Sequence, residues 1–410
     1  MTVTSHLQGR RLPRPSEIRR VLKLRRPRIG RLTRLADAQT VSDLSALAKR
    51  RVPRAVFDYV EGGAEAEISV RRSVEAFARI EFSPRVLAGS ECASLSTSIL
   101  GLPAQLPVIL APTGFTRMMH HDGEVAAATA ARNAGVPYVL STLGTTPPEG
   151  LPVGDWDRWF QVYLWKDRSV TQAMIDRAQR SGFRALVLTV DTPVAGARDR
   201  DRRNGFSVPP SLGAKTLWDM ARRPRWWFNV LTTQPLEFAS LTSTGGDPSQ
   251  LVNRVFNASA DMADLSWLRQ TWGGPLVVKG VLSGREAKRV VDAGADAVVV
   301  SNHGGRQLDR ASTPLEVLPE VVQSVGPHAE VYLDGGVRSG ADVAAAVGLG
   351  ARACLVGRAY LYGLMAGGQP GVERVLDIMR NDLARTMTLA GCGELGDLQQ
   401  NHAVTLRSSR

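Results

Sequence analysis

Eight short, apolar, β-branched runs recur from residue 107 onward, and they constrain the fold of this chain more than any other feature. They are PVILA (107–111), PYVLS (137–141), WFQVY (159–163), ALVLTV (185–190), PLVVK (275–279), DAVVV (296–300), EVYLD (330–334) and ACLVG (353–357). Continuous rather than alternating apolarity is the pattern of strands buried on both faces. Between them lie GEVAAATAARNAG, TQAMIDRAQRSG, GREAKRVVDAG and SGADVAAAVGLG, helix-like stretches that each end in glycine. Strands alternating with helices in this way predict an α/β chain folded as a (β/α)8 (TIM) barrel. A doubly wound sheet would want a GxGxxG turn after its first strand, and none is present.

The rhythm breaks once. The fourth and fifth runs start about 90 residues apart, and the extra segment, about 198–262, carries RRPRWWFNV and polar Gly/Pro-containing stretches. It reads as a loop insertion over one barrel mouth. Upstream, TVSDLSALAKRRVPRAVFDYVEGG reads as helical pieces, capped by Thr40 or Ser42 and stopped at Gly62-Gly63. The expected division is a basic N-terminal arm over 1–36 and a barrel domain over 37–410.

The arm holds most of the charge. The formal net charge is +12, and residues 1–35 carry eleven Arg or Lys against one acid, Glu17. Such an arm either wraps its own domain or a neighbouring subunit, or contacts anionic lipid. It has no aromatic residue to stack on bases, which argues against nucleic acid. Cys92, Cys354 and Cys392 are odd in number and form no CxxC pair, and the six histidines form no HExxH. Neither a disulfide framework nor a metal site is expected, and a reducing cytoplasm is. No apolar run approaches the ~18 residues that span a bilayer, and no apolar segment follows the first arginines, so no secretory signal is read.

In such a barrel the C-terminal strand ends host the chemistry. The first presents Pro112, Thr113 and Gly114, the second Ser141, the third Gln161 and Tyr163, and the fourth Thr189 and Asp191. The fifth presents Lys279, the sixth Ser301, Asn302, His303 and Arg306, the seventh Asp334 and Arg338, and the eighth Gly357 and Arg358. Buried strand ends rarely carry so many polar groups without a ligand. At the last two, Gly335, Gly336 and Gly357 let backbone N–H groups approach closely while Arg338 and Arg358 supply charge, the makings of a phosphate site. The stretch SNHGGRQLD delivers His303 and Arg306 to a mouth shared with Asp191 and Lys279. An imidazole beside a carboxylate is the stronger base. A nearby guanidinium can fork onto a substrate carboxylate, unless Asp309 pairs with Arg306 first.

SNHGGRQLD, together with APTGF, LTVDTPVAGAR, VVKG and DGGVRSG…GRAYLYG, resembles the FMN-dependent 2-hydroxy-acid dehydrogenases and oxidases over roughly residues 40–400. That family includes glycolate oxidase, lactate oxidase and respiratory L-lactate dehydrogenases, and the insertion is similar to that of its actinobacterial members. The resemblance implies FMN as cofactor, a small L-2-hydroxy acid, L-lactate first among them, as substrate, and a homotetramer. It implies that His303 is the active-site base, Asp191 its carboxylate partner, and Arg306 and Arg198 the clamp on the substrate carboxylate. Tyr59 and Tyr163 resemble the tyrosines that touch substrate, and Lys279 the lysine beside the flavin. Pro112, Thr113, Gly114, Ser141, Gln161 and Thr189 resemble flavin-ring contacts, with Ser301 a further cofactor ligand. Asp334, Gly335, Gly336, Arg338, Gly357 and Arg358 resemble the ribityl and phosphate contacts. The same residues serve whether the α-hydrogen leaves as hydride or as proton.

Three positions depart from relatives: Val60, where some have a second tyrosine; Leu143, where glycolate oxidase has tryptophan, leaving an apolar pocket suited to a methyl; and Gly114, without a methyl over the flavin. No CxxCH and no Fe–S spacing appears, so electrons are expected to leave for a quinone or another external acceptor. The expectation is a dehydrogenase in the cytoplasm, peripheral at the inner face of the cell membrane, where the arm and the Trp/Arg-rich loop contact anionic lipid. For Trp226, Trp227 and Phe228 simple packing is the competing reading. An oxidase that makes hydrogen peroxide is the alternative activity. Another flavin barrel, such as an isopentenyl diphosphate isomerase or inosinate dehydrogenase relative, would not need the His303, Arg306 and Arg198 set. A non-enzymatic basic barrel that binds lipid or nucleic acid would be colourless.

Overall fold

The computed structural model describes residues 34–89, 93–205, 218–219, 221–234, 236, 239 and 257–407. Residues 1–33 of the expected arm, Glu17, Cys92 and most of the expected insertion lie outside the described residues. The compact unit that carries the barrel is Arg34–Arg410.

All eight expected strands form: β1 Val108–Leu110, β2 Tyr138–Leu140, β3 Arg158–Val162, β4 Ala185–Thr189, β5 Leu276–Val281, β6 Ala297–Ser301, β7 Glu330–Asp334 and β8 Ala353–Val356. Each pairs in parallel with the next, and β8 closes on β1. The fold is the (β/α)8 barrel. Before it come helices α1 Val41–Arg51, α2 Arg54–Glu61 and α3 Ile68–Glu75. Around and after it run α4 Gly123–Ala134, α5 Arg168–Arg180, α6 Pro224–Thr232, α7 Met262–Thr271, α8 Gly284–Asp292, α9 Pro314–Val325, α10 Gly340–Gly348 and α11 Arg358–Ala390.

Local chemistry sets the helix ends. Thr40, rather than Ser42, caps α1: its hydroxyl accepts from the Asp43 N–H while the Asp43 carboxylate accepts from the Thr40 N–H. Gly62 ends α2. Helix α11 is broken at Gly367 and Gly368, the latter at φ 62°. Helix α6 occupies the loop between β4 and β5. Trp226 is half-buried and its indole N–H donates to the Met118 carbonyl at 2.9 Å, so the packing reading holds for it. It fails for Phe228, which is 68% exposed; Leu231 on the same helix is 72% exposed as well.

Side chains alternate across a strand, so every second barrel residue points to the axis. Ile109, Val139, Trp159, Val187, Val277, Val299, Tyr332 and Leu355 fill the interior and are essentially without exposure. A hairpin of Thr97–Ile99 and Leu102–Ala104 supplies Ile99 to the same cluster, with Leu100 packed against it. The Leu100 N–H donates to Glu330 and its carbonyl accepts from Arg184, residues at or next to the starts of β7 and β4. The hairpin therefore plugs the N-terminal end of the barrel.

Candidate active site

The same two-residue period that packs the core builds the opposite mouth. One step beyond the apolar layer, inward positions become Ala111, Ser141, Gln161, Thr189, Lys279, Ser301, Asp334 and Gly357. Register confirms the level: Thr189 lies beside Lys279, and Ser301 beside Asp334. Strand geometry thus brings residues distant in sequence to one rim, around a cleft of about 1190 Å3 open to solvent.

The sixth strand end answers for the histidine. His303, Gly304 and Gly305 have φ of 56°, 61° and 72°, three successive left-handed residues. Glycine takes this conformation freely, whereas histidine does so at a cost that its surroundings must hold. They do so through Asn302, whose side-chain oxygen accepts from the Gly305 N–H at 3.1 Å and whose amide donates to Ser73 at 3.0 Å. The His303 N–H donates to Ser301 Oγ at 3.0 Å. This turn swings the ring so that Nδ1 sits 2.9 Å from Asp191 Oδ1. With a carboxylate on Nδ1 the neutral ring carries its proton there, leaving the Nε2 lone pair free to act as a base.

Asp191 is buried, and burial alone would raise its carboxyl. The His303 imidazole and then Lys279 outweigh burial, and the group sits below the ordinary carboxylate value. Its Oδ2 is buried without a hydrogen-bond partner. Gly280 makes room for it: at φ 110°, a Cβ there would lie 2.7 Å from Asp191 Cβ and Cγ.

Beside His303 stand three further side chains. The Tyr59 ring is flanked by two guanidiniums, Arg306 with its Cζ 4.9 Å from the ring centroid and Arg198 at 5.7 Å. Arg306 is anchored by donating to the Tyr59 and Gly62 carbonyls at 2.7 and 3.0 Å. Burial, and then the Arg198 guanidinium, bring it down to about 10, so it is charged at neutral pH. Asp309 does not pair with it: its carboxylate accepts from the Ser69 and Ile68 N–H groups at the start of α3. Tyr163 is raised by burial and by Asp191, and remains a proton donor.

Across the mouth, the buried Lys279 donates to Asp334 at 2.8 Å and to Ser301 at 3.0 Å. Burial would neutralise both members, but their mutual attraction raises the lysine and lowers the aspartate. Gln161 ties the neighbouring rim together, accepting from Ser141 and donating to Thr189. At the far end lie Arg338, Arg358, Gly335, Gly336 and Gly357. Gly335 and Gly336 have φ of 114° and 86°, and a Cβ on Gly357 would meet no heavy atom closer than 3.9 Å, so its open side faces the cleft. Arg358 spends three donors on the Val60, Gly304 and Gly62 carbonyls, which ties α2 to the sixth strand end.

Nearly all the expected residues meet here. Tyr59, Pro112, Thr113, Gly114, Ser141, Gln161, Tyr163 and Thr189 line the cleft, as do Arg198, Lys279, His303, Arg306, Asp334 and the glycines and arginines of the far end. Asp191 stands behind His303. Ser301 is fully buried beneath the wall, donating to Asp334 at 2.6 Å, and positions its neighbours instead of lining the cleft. Gly280, Ser73 and Met119 also shape the site, together with Asn302 and Gln307 of the SNHGGRQLD stretch, to which the sequence assigns no individual role. Asn302 and Gln307 have a sequence signal, their place in the same short stretch as His303. The others act through contacts between segments far apart in sequence.

FMN, expected from the resemblance, fits this cleft. A buried ammonium at one strand end suits an electron-rich ring edge, and two arginines beside Gly357, whose side is open, suit a phosphate tail. A protein-family profile described as FMN-dependent dehydrogenase matches residues 48–405. The chain is 47% identical, over 402 residues covering 97% of each, to a protein of Mycobacterium tuberculosis that carries L-lactate dehydrogenase as a provisional name. It is 40% identical to an L-lactate oxidase of Nostoc sp., over 90% of this chain and 98% of that one. Among solved structures, a monotopic membrane protein, (S)-mandelate dehydrogenase, superposes with a TM-score of 0.87 at 38% identity, covering 90% of this chain and all of the other.

Proposed function

We propose that this chain, which belongs to the family of FMN-dependent dehydrogenases, oxidises an L-2-hydroxy acid, L-lactate, to the 2-oxo acid and passes the electrons to a quinone or another respiratory acceptor. The observation that carries the reading is the His303–Asp191 pair at 2.9 Å, beside two guanidiniums that flank Tyr59. A 2-hydroxy acid gives up two electrons, its hydroxyl proton and its α-hydrogen. His303 Nε2 takes one substrate proton, and Asp191 stabilises the resulting imidazolium. It is the hydroxyl proton if the α-hydrogen leaves with the electron pair as hydride to the bound sink. It is the α-proton if the electron pair leaves without it, and the hydroxyl proton then goes to solvent. Arg306 and Arg198 hold the substrate carboxylate, and Tyr59 and Tyr163 orient its oxygens. Leu143 and Met119 give an apolar wall suited to a methyl group.

Bound FMN supplies the two-electron sink. Pro112, Thr113, Gly114, Ser141, Gln161 and Thr189 would hold its ring, and Lys279 would stabilise negative charge on it. Asp334, Gly335, Gly336, Arg338, Gly357 and Arg358 would hold the ribityl chain and phosphate, with Ser301 acting through Lys279 and Asp334.

Among the described residues no helix is long and apolar enough to cross a membrane. Exposed Phe228 and Leu231 on α6, and the likeness to a monotopic membrane dehydrogenase, support peripheral contact with anionic lipid at the inner face of the cell membrane. The basic arm over 1–36 joins in that contact, and the barrel domain over 37–410 assembles as a homotetramer. The alternative, an oxidase yielding hydrogen peroxide, is supported by the Nostoc relative.

The test is an anaerobic absorbance spectrum before and after addition of L-lactate. Rapid bleaching of a flavin band is expected, and no flavin band after incubation with FMN would overturn the reading. Reoxidation by a quinone analogue rather than oxygen then separates dehydrogenase from oxidase.

A further inference from the structure

A second cavity, of about 1140 Å3 open to solvent, lies between the end of α1, the break in α11 and the start of α6. Its polar lining is mostly cationic: Arg50, Arg51, Arg222, Arg223 and Arg225 with His120, His121 and the neutral Asn229. Among the described lining residues there is no Asp or Glu, and Asp122 stands behind the two histidines at 3.5 and 3.3 Å. Its arrangement is built, because the break at Gly367–Gly368 releases carbonyls from the α11 ladder and Arg51 donates to that of Ala366. The His120 ring packs on Gly368, where a Cβ would lie 2.7 Å from its Cε1. Arg223 donates to the Val52 carbonyl at 3.2 Å. Arg225 comes close enough to Arg51 to lower it, after burial.

Guanidiniums gathered around one space give it a positive field. His120, His121 and Asp122 do bring three potential metal ligands within 4.8 Å of one another. The surrounding guanidiniums oppose a cation there, so the field selects an anion. Several forked donors around one space suit a phosphate with its three or four oxygens. Trp226, Val230 and Met365 give the cavity an apolar side, so the ligand carries a carbon skeleton as well. Met119 lines both this cavity and the barrel mouth, which makes the two sites neighbours.

We propose that this cavity is a binding site for a phosphate ester of net negative charge, separate from the barrel-mouth site and formed by arginines of α1 and the α6 segment. Two sources share that chemistry: the headgroup of an anionic phospholipid, or a soluble phosphate compound. The FMN-loaded protein is titrated calorimetrically at about 0.15 M salt, where surface charge is screened. The probes are inorganic phosphate, monomeric dihexanoyl phosphatidylglycerol and, as control, dihexanoyl phosphatidylcholine. The comparison protein carries Arg222→Glu and Arg225→Glu, two exposed positions outside the barrel-mouth site. Saturable 1:1 binding of phosphate or phosphatidylglycerol, weakened about a hundredfold in the double variant, supports the site. Phosphatidylglycerol alone identifies a lipid headgroup, whereas inorganic phosphate binding as well identifies a soluble ligand. No binding of either, equal binding to the variant, or equal binding of phosphatidylcholine overturns the proposal. Bleaching by L-lactate, measured in parallel, reports the barrel-mouth chemistry separately and is expected to be unchanged.

Discussion

Asp191 gives one oxygen to His303 Nδ1 at 2.9 Å and keeps the other buried without a partner. The carboxylate is thus committed to one ring nitrogen, and that commitment fixes which nitrogen faces the substrate.

Asp191→Asn should keep the shape and lose the tautomer and charge. Flavin reduction by L-lactate, followed by anaerobic stopped flow, is expected to slow about 10²–10⁴-fold with little change in substrate affinity. A reduction rate within a few-fold of the parent would remove His303 from its role as base.

Gly280→Ala should damage the same pair without touching it in sequence. The new Cβ would press on Asp191, and φ 110° strains any side chain. Slower reduction is expected together with a stability loss of about 1 kcal/mol or more in denaturant melts. An unperturbed rate would show that the Asp191 backbone has room to yield.

The two guanidiniums beside Tyr59 should separate by anchoring. Arg306 also holds the Tyr59 and Gly62 carbonyls, whereas Arg198 faces Asp201 at 3.8 Å. Arg198→Ala is expected to weaken substrate binding by about 1.5–3 kcal/mol, read as KM, with Tm nearly constant. Arg306→Ala should lower both affinity and Tm. Equal thermal behaviour of the two variants would contradict the anchoring.

Acid stability should report the Lys279–Asp334 pair. Asp334 is lowered despite its burial, because Lys279 and Ser301 stabilise the carboxylate. A carboxyl lowered by folding contributes stability above its unfolded value of about 3.9, and that stability is lost as pH falls through the folded value. Asp334→Asn should flatten the decline below about pH 4 and, by removing the carboxylate in contact with a buried ammonium, cost about 3–5 kcal/mol at pH 7. Urea melts at a series of pH values check both; parallel curves for parent and variant would count against the pair.

The barrel could be read in the chain because its strands announce themselves locally. Runs such as ALVLTV are buried on both faces, and their polar ends become the mouth by simple alternation. His303, Lys279 and Arg338 were therefore visible as strand-end residues. Arg198 and Tyr59 sit on segments before and between strands, and only resemblance singled them out. Gly280 was not visible, since its reason is the carboxylate of a residue on another strand. The second cavity was hidden for the same cause: α1, α6 and the break in α11 are far apart in the chain, and arginines on each look like ordinary solvated charge.

Among the described residues, the hairpin that plugs the lower end of the barrel leaves the mouth at the other end as the door. Whatever is oxidised leaves the way it came, and an acceptor that uses the same threshold waits for it. Traffic of that kind imposes a queue, visible as parallel lines in double-reciprocal plots when hydroxy acid and acceptor are varied together.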